Sequence, residues 1–318
     1  MCMIPEPFKA LSFFPILPSS IPMNSSISKC LGCDSTSVDI VASSSLYSLC
    51  ICIDCRLVFK HIARLDYNLR QDLQDSVYTE EYVAGRLTNP TTLEMADQRV
   101  RFLSKFVGKG KLLEIGCGTG EFLELAKKVG FDVEGVEASQ LIIEFLRSHG
   151  ISARKGVFEE LDWARSTYTV IAGFHLFEHI HLPNRFLQRV HRSLVDFGFL
   201  FLVTPNVESK TDRLFGWRHP TFTMPDHICF YSPSTLSAIL ERNGFKVMKI
   251  ETFEPLHHLF TSVNAFFAQK DNKFLRSVAQ LVRPYWLASA LSPIMRKRAW
   301  RLENSLTGHE LFVIARKV

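Results

Sequence analysis

An apolar stretch that runs directly into three glycines at alternate positions constrains this chain more than any other feature. Residues 111–115 have the composition of a buried strand, Gly116, Gly118 and Gly120 follow, and residues 121–129 have helical periodicity. Glycines at such a turn let the backbone bend sharply and approach a ligand closely. The pattern therefore predicts a strand, a ligand-binding turn and a helix, which together form the opening unit of an α/β fold.

The region that follows continues the alternation of strand and helix. Short apolar runs predict strands, and amphipathic stretches between them predict helices. The alternation implies βαβ units and a largely parallel sheet with helices on both faces. The predicted strands are residues 111–115, 132–137, 168–174, 198–204, 245–252 and 309–315, and the predicted helices are residues 121–129, 139–149, 183–194 and 234–243.

Acidic residues at the ends of the first two strands indicate which ligand the turn binds. Glu137 follows the glycine loop by about 20 residues, where a carboxylate that binds ribose hydroxyls belongs. Glu114 directly precedes the loop, and its charge would repel a pyrophosphate but attract an ammonium group. The Gly-x-Gly-x-x-Gly spacing of dinucleotide sites is not met. S-adenosylmethionine (SAM) carries an ammonium, a sulfonium and a ribose, and it therefore fits better than NAD.

Further motifs lie near the ends of later strands. Together with the glycine loop they make the chain resemble class I SAM-dependent methyltransferases, in particular the group that includes ubiquinone-biosynthesis O-methyltransferases. The likeness covers residues 111–252 and the final strand. It implies a Rossmann-like sheet of seven strands, the last one antiparallel, with helices on both faces. Besides the glycine loop, the motifs that show this likeness are residues 137–139, 157–158, 174–179, 204–206 and 226–231.

The same resemblance implies which residues hold the cofactor. The glycine loop corresponds to the family's first motif, and the residues after the second strand correspond to its ribose-binding end. Residues 157–158 stand where the family contacts adenine, and residues 174–175 stand at the edge of the SAM site. The residues assigned to SAM in this way are Glu114, Gly116, Cys117, Gly118, Gly120, Glu137, Ala138, Phe158, Phe174 and His175.

Four of the eight cysteines form two C-x-x-C pairs. Cys30 and Cys33 are followed, after 18 residues, by Cys52 and Cys55, a spacing that matches a four-thiolate zinc site. Four protein ligands leave no open coordination position, so the predicted Zn²⁺ is structural. The alternative is a set of buried free cysteines. Cys50 is a fifth nearby thiol, but the C-x-x-C geometry favours Cys52 as the ligand.

The cysteine module resembles the zinc ribbons that precede the methyltransferase domain in sugar C-methyltransferases acting on nucleotide-linked keto sugars. A tyrosine-containing stretch follows in both cases, here residues 78–82. Two features depart from that group. Asp34 and Arg56 stand where glycines are usual, and the chain is too short for the further C-terminal domain of those enzymes. The resemblance implies a sugar-type acceptor without identifying it.

Candidate catalytic residues follow from the chemistry of methyl transfer. A hydroxyl or acidic carbon must lose a proton, and histidine is the side chain whose ordinary pKa suits that task. His227, preceded by Asp226 and followed by Tyr231, resembles an acid–His pattern with a later Tyr in the related C-methyltransferases and is the first candidate for the base. His179 either takes part directly or orders the turn after its strand. Tyr82 either covers the substrate or packs a leading helix on the core.

The charge of the chain is unevenly distributed. The formal net charge is +5, but the segment between Pro255 and Thr307 contains eight basic and two acidic residues, and it also contains several aromatic residues. This composition predicts a basic amphipathic helical insertion over residues 256–306. Such helices either lie on an anionic membrane surface or form a lid with solvated charges. Peripheral membrane contact through this insertion is therefore one of two interpretations.

The remaining segments complete the predicted organisation. Residues 1–28 lack the basic and apolar regions of a signal peptide, so a disordered tail is predicted, with Met1 or Met23 as the start. The sequence contains no run of 18 apolar residues that would predict a membrane span. The protein is expected in the cytoplasm or at the inner membrane surface. The predicted units are a tail (1–28), a zinc ribbon (29–60), a helical linker or cap (61–107), a SAM-binding domain (108–255), the insertion (256–306) and the final strand (307–318).

These features predict a SAM-dependent methyltransferase that acts on a small-molecule acceptor. The acceptors favoured are a sugar nucleotide, a lipid-linked sugar or another precursor of the cell envelope or of secondary metabolism. An RNA methyltransferase that grips its substrate with the ribbon is an alternative. Residues 29–60 argue against nucleic acid, because three basic residues there are matched by three acidic ones. A SAM-binding partner protein without catalysis is the second alternative.

Overall fold

The structure is a computed structural model that describes residues 29–44, 47–62, 79–216, 219–253 and 306–318. The strands are β1 (Val38–Ser43), β2 (Ser48–Cys52), β3 (Val58–His61), β4 (Gly110–Ile115), β5 (Phe131–Glu137), β6 (Ser152–Lys155), β7 (Tyr168–Phe174), β8 (Leu194–Pro205), β9 (Cys229–Phe230), β10 (Phe245–Phe253) and β11 (Glu310–Lys317). The helices are α1 (Glu80–Thr88), α2 (Pro90–Leu103), α3 (Glu121–Lys128), α4 (Gln140–Ser148), α5 (Pro183–Ser193), α6 (Lys210–Phe215), α7 (Pro220–Thr223) and α8 (Pro233–Arg242), with a 3₁₀ turn at Phe177–His179.

Seven strands form the central sheet in the order β6-β5-β4-β7-β8-β11-β10. Strands β4, β5, β6, β7 and β8 pair in parallel, whereas β11 is antiparallel to both of its neighbours. The structure therefore confirms the predicted Rossmann-like sheet with an antiparallel last strand. The strand order reverses between β4 and β7, and open α/β sheets bind ligands in the crevice beside such a point.

Alternate side chains of the buried strands point to two hydrophobic cores, one on each face of the sheet. Leu112 and Leu113, neighbours on β4, belong to different cores. One core contains the apolar faces of α2, α3 and α4, and the other contains those of α5 and α8. Near-continuous apolar runs are expected of parallel strands that are covered on both faces. The predicted helices on both faces are confirmed.

The element boundaries differ from the prediction at two places. β6 is a strand of 4 residues at the sheet edge, and its sequence, Ser-Ala-Arg-Lys, has no apolar run that would announce it. β8 begins at Leu194, four residues before the predicted start, because it includes the polar and exposed positions at Asp196 and Phe197. The predicted alternation is otherwise reproduced.

The cysteine module is joined to the sheet domain by backbone pairing. β1, β2 and β3 form a meander, and β9 pairs antiparallel with β3, so the small sheet contains a strand from the middle of the chain. On the other side of the module, the carbonyl oxygen of Gly32 accepts hydrogen bonds from Asn184 on α5 and Arg242 on α8. The module is thus docked on the face of the sheet that α5 and α8 cover.

Several predicted features lie outside the described residues. They include the predicted disordered tail, Tyr78 of the tyrosine stretch and the basic insertion apart from its last residue. The described part of the predicted linker forms α1 and α2, and Asn89 caps α2 by accepting the amide N–H of Thr91. Among the helices of the described ranges, none is both long and apolar enough to cross a membrane.

Candidate active site

The glycine loop after β4 adopts the conformation that its sequence predicts. Gly116, Gly118 and Gly120 all have positive φ, at 69°, 48° and 79°. A Cβ on Gly120 would lie 2.5 Å from Leu146 Cδ2 on α4, so this glycine allows the helix to approach. A Cβ on Gly118 would meet no atom within 4 Å. Gly118 therefore exposes its backbone to open space where a ligand can approach closely.

Glu137, at the end of β5, faces this loop. Its Oε2 accepts the amide N–H of Gly118 at 3.0 Å, and its Oε1 accepts those of Ala138 at 2.8 Å and Ser139 at 3.4 Å. Three backbone donors fix the orientation of the carboxylate. A carboxylate offers about four lone-pair positions, so Glu137 keeps capacity to accept a ribose hydroxyl.

Glu114, the last acid before the loop, is buried at the end of β4. Among the described residues no hydrogen-bond donor reaches its Oε2. Burial raises the pKa of Glu114 well above its usual range, and the nearby guanidinium of Arg99 offsets only part of this effect. An ammonium group brought to Oε2 would supply the missing donor and favour the ionised carboxylate.

The crevice floor carries more buried carboxylates than cations. Arg99, which α2 inserts beneath the site, stacks on the ring of Phe174 at 4.4 Å. Arg86 on α1 binds Glu121 with two hydrogen bonds of 3.2 Å and braces the start of α3. A surplus of negative charge in a buried cleft favours a cationic ligand. The buried carboxylates of the crevice are Glu114, Glu121, Glu137, Glu178 and Glu310.

The aromatic residues assigned to the cofactor pack into the hydrophobic cores. Phe158 is 1% exposed, and its ring stacks on Trp163 at 5.1 Å. Phe174 packs edge-on against Phe122 at 4.7 Å in the core below α3. Contacts of Phe158 with an adenine would thus come from its backbone, next to the exposed side chain of Val157.

The side chain of Cys117, the second residue of the glycine loop, is also buried. It points to β5, where a Cβ on Gly135 would lie 2.6 Å from Cys117 Sγ. Cys117 thus packs the loop onto the neighbouring strand, and its amide N–H donates to the carbonyl of Val136 on that strand.

His175 begins the segment after β7 and is held between two buried carboxylates. Its φ of 50° is unusual for a non-glycine residue. Its Nε2 lies 3.3 Å from Glu310 Oε1 at the start of β11, and its Nδ1 lies 3.6 Å from Glu178 Oε1. Burial lowers the pKa of His175, but the two carboxylates outweigh it and raise the pKa to about 9. His175 is therefore protonated at neutral pH and ties β11 to the turn after β7.

This ion-pair arrangement predicts a specific dependence of stability on pH. An unfolded histidine has a pKa of about 6.5, so His175 contributes its full stabilisation below that pH and loses it as the pH rises towards 9. We expect the difference in free energy of unfolding between wild type and His175→Gln to shrink between about pH 6.5 and 9. Denaturant titrations across this range measure it. Glu310→Gln, which removes one partner, should move the window to lower pH, and a constant difference would contradict the assignment.

Two histidines lie next to Glu178 at the carboxyl edge of β7 and β8. His179 Nδ1 lies 2.9 Å from the carbonyl oxygen of Asp226, and His227 Nδ1 lies 3.0 Å from that of Thr221. A carbonyl only accepts, so each Nδ1 carries a proton, and a neutral His227 ring has its lone pair on Nε2. The two rings are 4.9 Å apart. We call Glu178, His179 and His227 the histidine cluster.

The carboxylate of Asp226 pairs with a different histidine from the one that sequence adjacency suggests. Its Oδ2 lies 3.4 Å from His179 Nδ1, whereas His227 is held by the carbonyl of Thr221. Burial lowers the pKa of His227 to about 4, although the charge of Glu178 acts in the opposite direction. His227 is therefore neutral at physiological pH. Tyr82, another candidate, lies on α1.

The four cysteines of the module converge as predicted from their spacing. Cys30 Sγ and Cys55 Sγ are 3.5 Å apart, as are Cys33 Sγ and Cys52 Sγ, and all four sulfur atoms lie within 4.8 Å of one another. Zinc–sulfur bonds of ~2.3 Å in a tetrahedron place the sulfurs about 3.8 Å apart. The geometry thus allows a structural Zn²⁺ held by these four residues.

Asp34 and Arg56 occupy the positions where the related ribbons have glycine. Both have positive φ, at 60° and 65°. Their amide N–H groups donate to the carbonyls of Cys30 and Cys52, which closes each C-x-x-C turn in the same way. The turns therefore form despite the missing glycines, at a cost of about 1–2 kcal/mol for each left-handed residue.

Comparison with known proteins agrees with this arrangement. Residues 90–250, just over half of the chain, match the family model described as a methyltransferase domain. The chain therefore belongs to this methyltransferase family. With the acids and glycines of the loop placed as described, it is a class I SAM-dependent methyltransferase whose acceptor is a small molecule.

One curated relative and two solved structures illustrate what the chain is similar to. The chain is 26% identical over 195 residues to the ubiquinone biosynthesis O-methyltransferase of Shewanella sp. (strain ANA-3), which covers 57% of this chain and 81% of that protein. The fold matches a SAM-dependent methyltransferase of Thermotoga maritima, a possible histamine N-methyltransferase, at a TM-score of 0.52 and 16% identity, covering 80% of this chain and 100% of that one. Phosphoethanolamine N-methyltransferase 2 of Haemonchus contortus, solved with SAM, gives 0.51 at 16% identity, over 82% and 62%.

Sequence reasoning missed the buried charged residues that surround these motifs. The buried charges beneath the crevice belong to Arg99, Glu178 and Glu310. The sequence around each of them indicates only a helix, a turn or a strand. A signal existed for Glu178, since it lies between the motif residues Phe174 and His179. No comparable signal marked Arg99, because an arginine in an amphipathic helix is ordinarily exposed.

Proposed function

We propose that this methyltransferase modifies a hydroxyl group or acidic carbon of a sugar-type acceptor, with His227 as the general base. The observation that carries the proposal is the tautomer of His227. Its ring is held through Nδ1 by the carbonyl of Thr221, and the neutral ring has its lone pair on Nε2. A neutral imidazole with an oriented lone pair can accept a proton from a nucleophile.

The cofactor half of the crevice suits SAM because the ammonium and the ribose of SAM each have a matching protein group. The orphaned Glu114 Oε2 fits the ammonium, Glu137 fits the ribose, and the open face of Gly118 leaves room for the ligand backbone. When bound, SAM supplies a methyl group on a cationic sulfur that is already a good leaving group. The chain's own residues must then orient the acceptor and remove its proton.

His179 and Asp226 support this step without performing it. Asp226 reaches His179 through both its carbonyl oxygen and its carboxylate, and so fixes that ring beside His227. Glu178 is itself fixed, since its Oε2 accepts the hydroxyl of Thr204 at 2.9 Å and its Oε1 faces the protonated His175. The negative charge of Glu178 stabilises a proton once His227 has received it.

The acceptor class is proposed from the module that adjoins the cluster. β3 pairs with β9 two residues after His227, and the amide of Lys60 donates to the carbonyl of Ile228 at 2.8 Å. A ribbon that resembles those of sugar C-methyltransferases thus borders the acceptor side. This favours a sugar nucleotide, a lipid-linked sugar or another cell-envelope precursor over a phenolic quinone precursor.

The test is methyl transfer from radiolabelled SAM to a panel of sugar nucleotides, lipid-linked sugars and phenolic acids, with wild type and His227→Gln. We expect His227→Gln to lower kcat by about 10²–10⁴-fold, the usual contribution of a general base, with SAM affinity unchanged. Because the pKa of His227 is about 4, its protonation should not limit wild-type turnover until the pH falls near 5.

The matched control is His191→Gln. His191 lies on α5 just before β8 begins, at the end of the sheet away from the crevice, and this variant should turn over like wild type. Full activity of His227→Gln on an identified acceptor would remove the proposed base. Methylation confined to the phenolic acids would overturn the acceptor class while leaving the methyltransferase assignment intact.

A further inference from the structure

Three buried residues converge beside the histidine cluster but take no part in the chemistry proposed for it. Asp212 lies on α6, His219 directly precedes α7, and His309 directly precedes β11. One ligand-type atom of each lies within 4.8 Å of the others, and all three residues are less than 5% exposed. We call this set the buried triad.

The two oxygens of Asp212 have different surroundings. Oδ2 accepts the hydroxyl of Ser209 and lies 3.2 Å from His309 Nδ1 in hydrogen-bonding geometry. Oδ1 lies 3.1 Å from His219 Nδ1, yet among the described residues no hydrogen bond reaches it. An unpaired carboxylate oxygen with no solvent exposure is costly.

His219 Nδ1 lies beside this oxygen and also contacts Thr221. The amide N–H of Thr221 donates to Nδ1 at 3.2 Å, and the hydroxyl of Thr221 lies 2.9 Å from it. In the tautomer in which this nitrogen accepts, it carries a lone pair and not a proton. Asp212 Oδ1 and His219 Nδ1, 3.1 Å apart, are then two electron-pair donors that one cation could bind in exchange for the contacts of Nδ1 with Thr221.

We propose that Asp212, His219 and His309 bind a divalent first-row transition-metal ion. With metal–ligand bonds of ~2.1 Å, atoms 3.1 Å apart subtend about 95° at the ion, which lies between octahedral and tetrahedral angles. Two imidazoles and one carboxylate suit Zn²⁺, Co²⁺ or Fe²⁺ in preference to Mg²⁺ or Ca²⁺. Three protein ligands leave at least one coordination position for water or another oxygen ligand.

A bound ion would connect two segments of the chain because of where the buried triad lies. It joins the segment after β8 to the start of β11, where Asn206 already bonds the carbonyls of Leu306 and Gly308. Both segments border the carboxyl edge of the sheet. A bound ion would therefore fix the acceptor side of the crevice, and this role does not depend on which acceptor is methylated.

The histidine cluster also brings a carboxylate and two imidazoles together, but its charges are already compensated. Each carboxylate has one oxygen that no hydrogen bond reaches among the described residues, Glu178 Oε1 and Asp212 Oδ1, but Glu178 Oε1 faces the protonated His175. The two sites can be told apart by substitution, because Asp212 and Glu178 belong to different clusters.

The experiment uses Co²⁺ as the probe on the full-length protein after metal removal. Cobalt bound by thiolates gives an intense sulfur-to-metal charge-transfer band, whereas cobalt bound by nitrogen and oxygen gives only visible d–d bands. We expect wild type to bind one Co²⁺ of each kind. Asp212→Asn should weaken only the second by more than about 100-fold, since even outer partners of a metal ligand affect affinity by 10–100-fold.

Further variants keep the test decisive. His309→Gln, which leaves the bond between Ser209 and Asp212 in place, should also lose the second site if Asp212→Asn does not fold. Glu178→Gln and the exposed Asp196→Asn should keep it. A wild type that binds cobalt only through thiolates, or a second site that is lost in Glu178→Gln, would overturn the proposal.

Discussion

Replacing Cys52 with serine should release one equivalent of zinc and produce the largest loss of stability of any single substitution considered. Structural Zn²⁺ sites contribute apparent binding free energies of ~10–16 kcal/mol. The four sulfur atoms lie within 4.8 Å of one another, and a bound ion would join the turn at Cys30–Cys33 to the turn between β2 and β3. We therefore expect Cys52→Ser to lose thiolate-bound zinc, measured by metal analysis, and to lower Tm by at least about 10 °C.

Cys50→Ala is the matched control for this prediction. Cys50 is two residues away, is fully buried and lies outside the cluster of four. Its replacement removes one thiol from the same strand, so it should cost only the ~1 kcal/mol of a typical core substitution and keep the zinc. If Cys50→Ala lost the metal and Cys52→Ser kept it, Cys50 would be the ligand.

The loss of zinc in Cys52→Ser should also affect catalysis. This effect should be confined to the acceptor half of the crevice. β3 pairs with β9, and buried Lys60 on β3 donates to the carbonyl of Met224 in the segment that carries His227. The glycine loop and Glu137 have no such link to the ribbon among the described hydrogen bonds. Cys52→Ser should accordingly lower methyl transfer while leaving SAM affinity close to wild type. An equal loss of both would indicate general unfolding.

The cofactor half of this site was predictable from sequence because its features are local. The loop glycines lie within five residues of one another, and the acids at positions 114 and 137 end adjacent strands. Strand β5 follows β4 through one helix, so the register of a parallel pair brings their carboxyl ends together. The cysteine spacing is equally local, since each C-x-x-C turn closes on itself.

The acceptor half was not predictable because it depends on contacts between distant segments. Asp226 binds His179 across 47 residues, and β3 pairs with a two-residue strand some 170 positions away. Asp212 and His309 are 97 residues apart. No periodicity or motif specifies which of several histidines a carboxylate will meet. That choice is made by the burial of Glu178, Asp212 and Glu310, and burial emerges only once the sheet has formed.

Glu137→Gln should weaken SAM binding by about 10–100-fold, since hydrogen bonds to a charged group contribute ~1.5–3 kcal/mol each. The carboxylate faces the open side of Gly118, and its two oxygens are oriented by three backbone N–H groups. An amide in its place keeps one acceptor oxygen and turns a donor towards the N–H groups of the loop. Calorimetric titration of the purified protein with SAM measures the change.

Glu134→Gln provides the comparison on the same strand. Glu134 pairs with Arg154 and Tyr168 away from the loop, so its variant should bind SAM like wild type. S-adenosylhomocysteine then separates two explanations of the Glu137 effect. It has the ribose but lacks the sulfonium charge, so a ribose contact predicts that both ligands weaken by the same factor. A loss confined to SAM would show that Glu137 acts through its charge on the sulfonium, and unchanged binding of both ligands would remove Glu137 from the cofactor site.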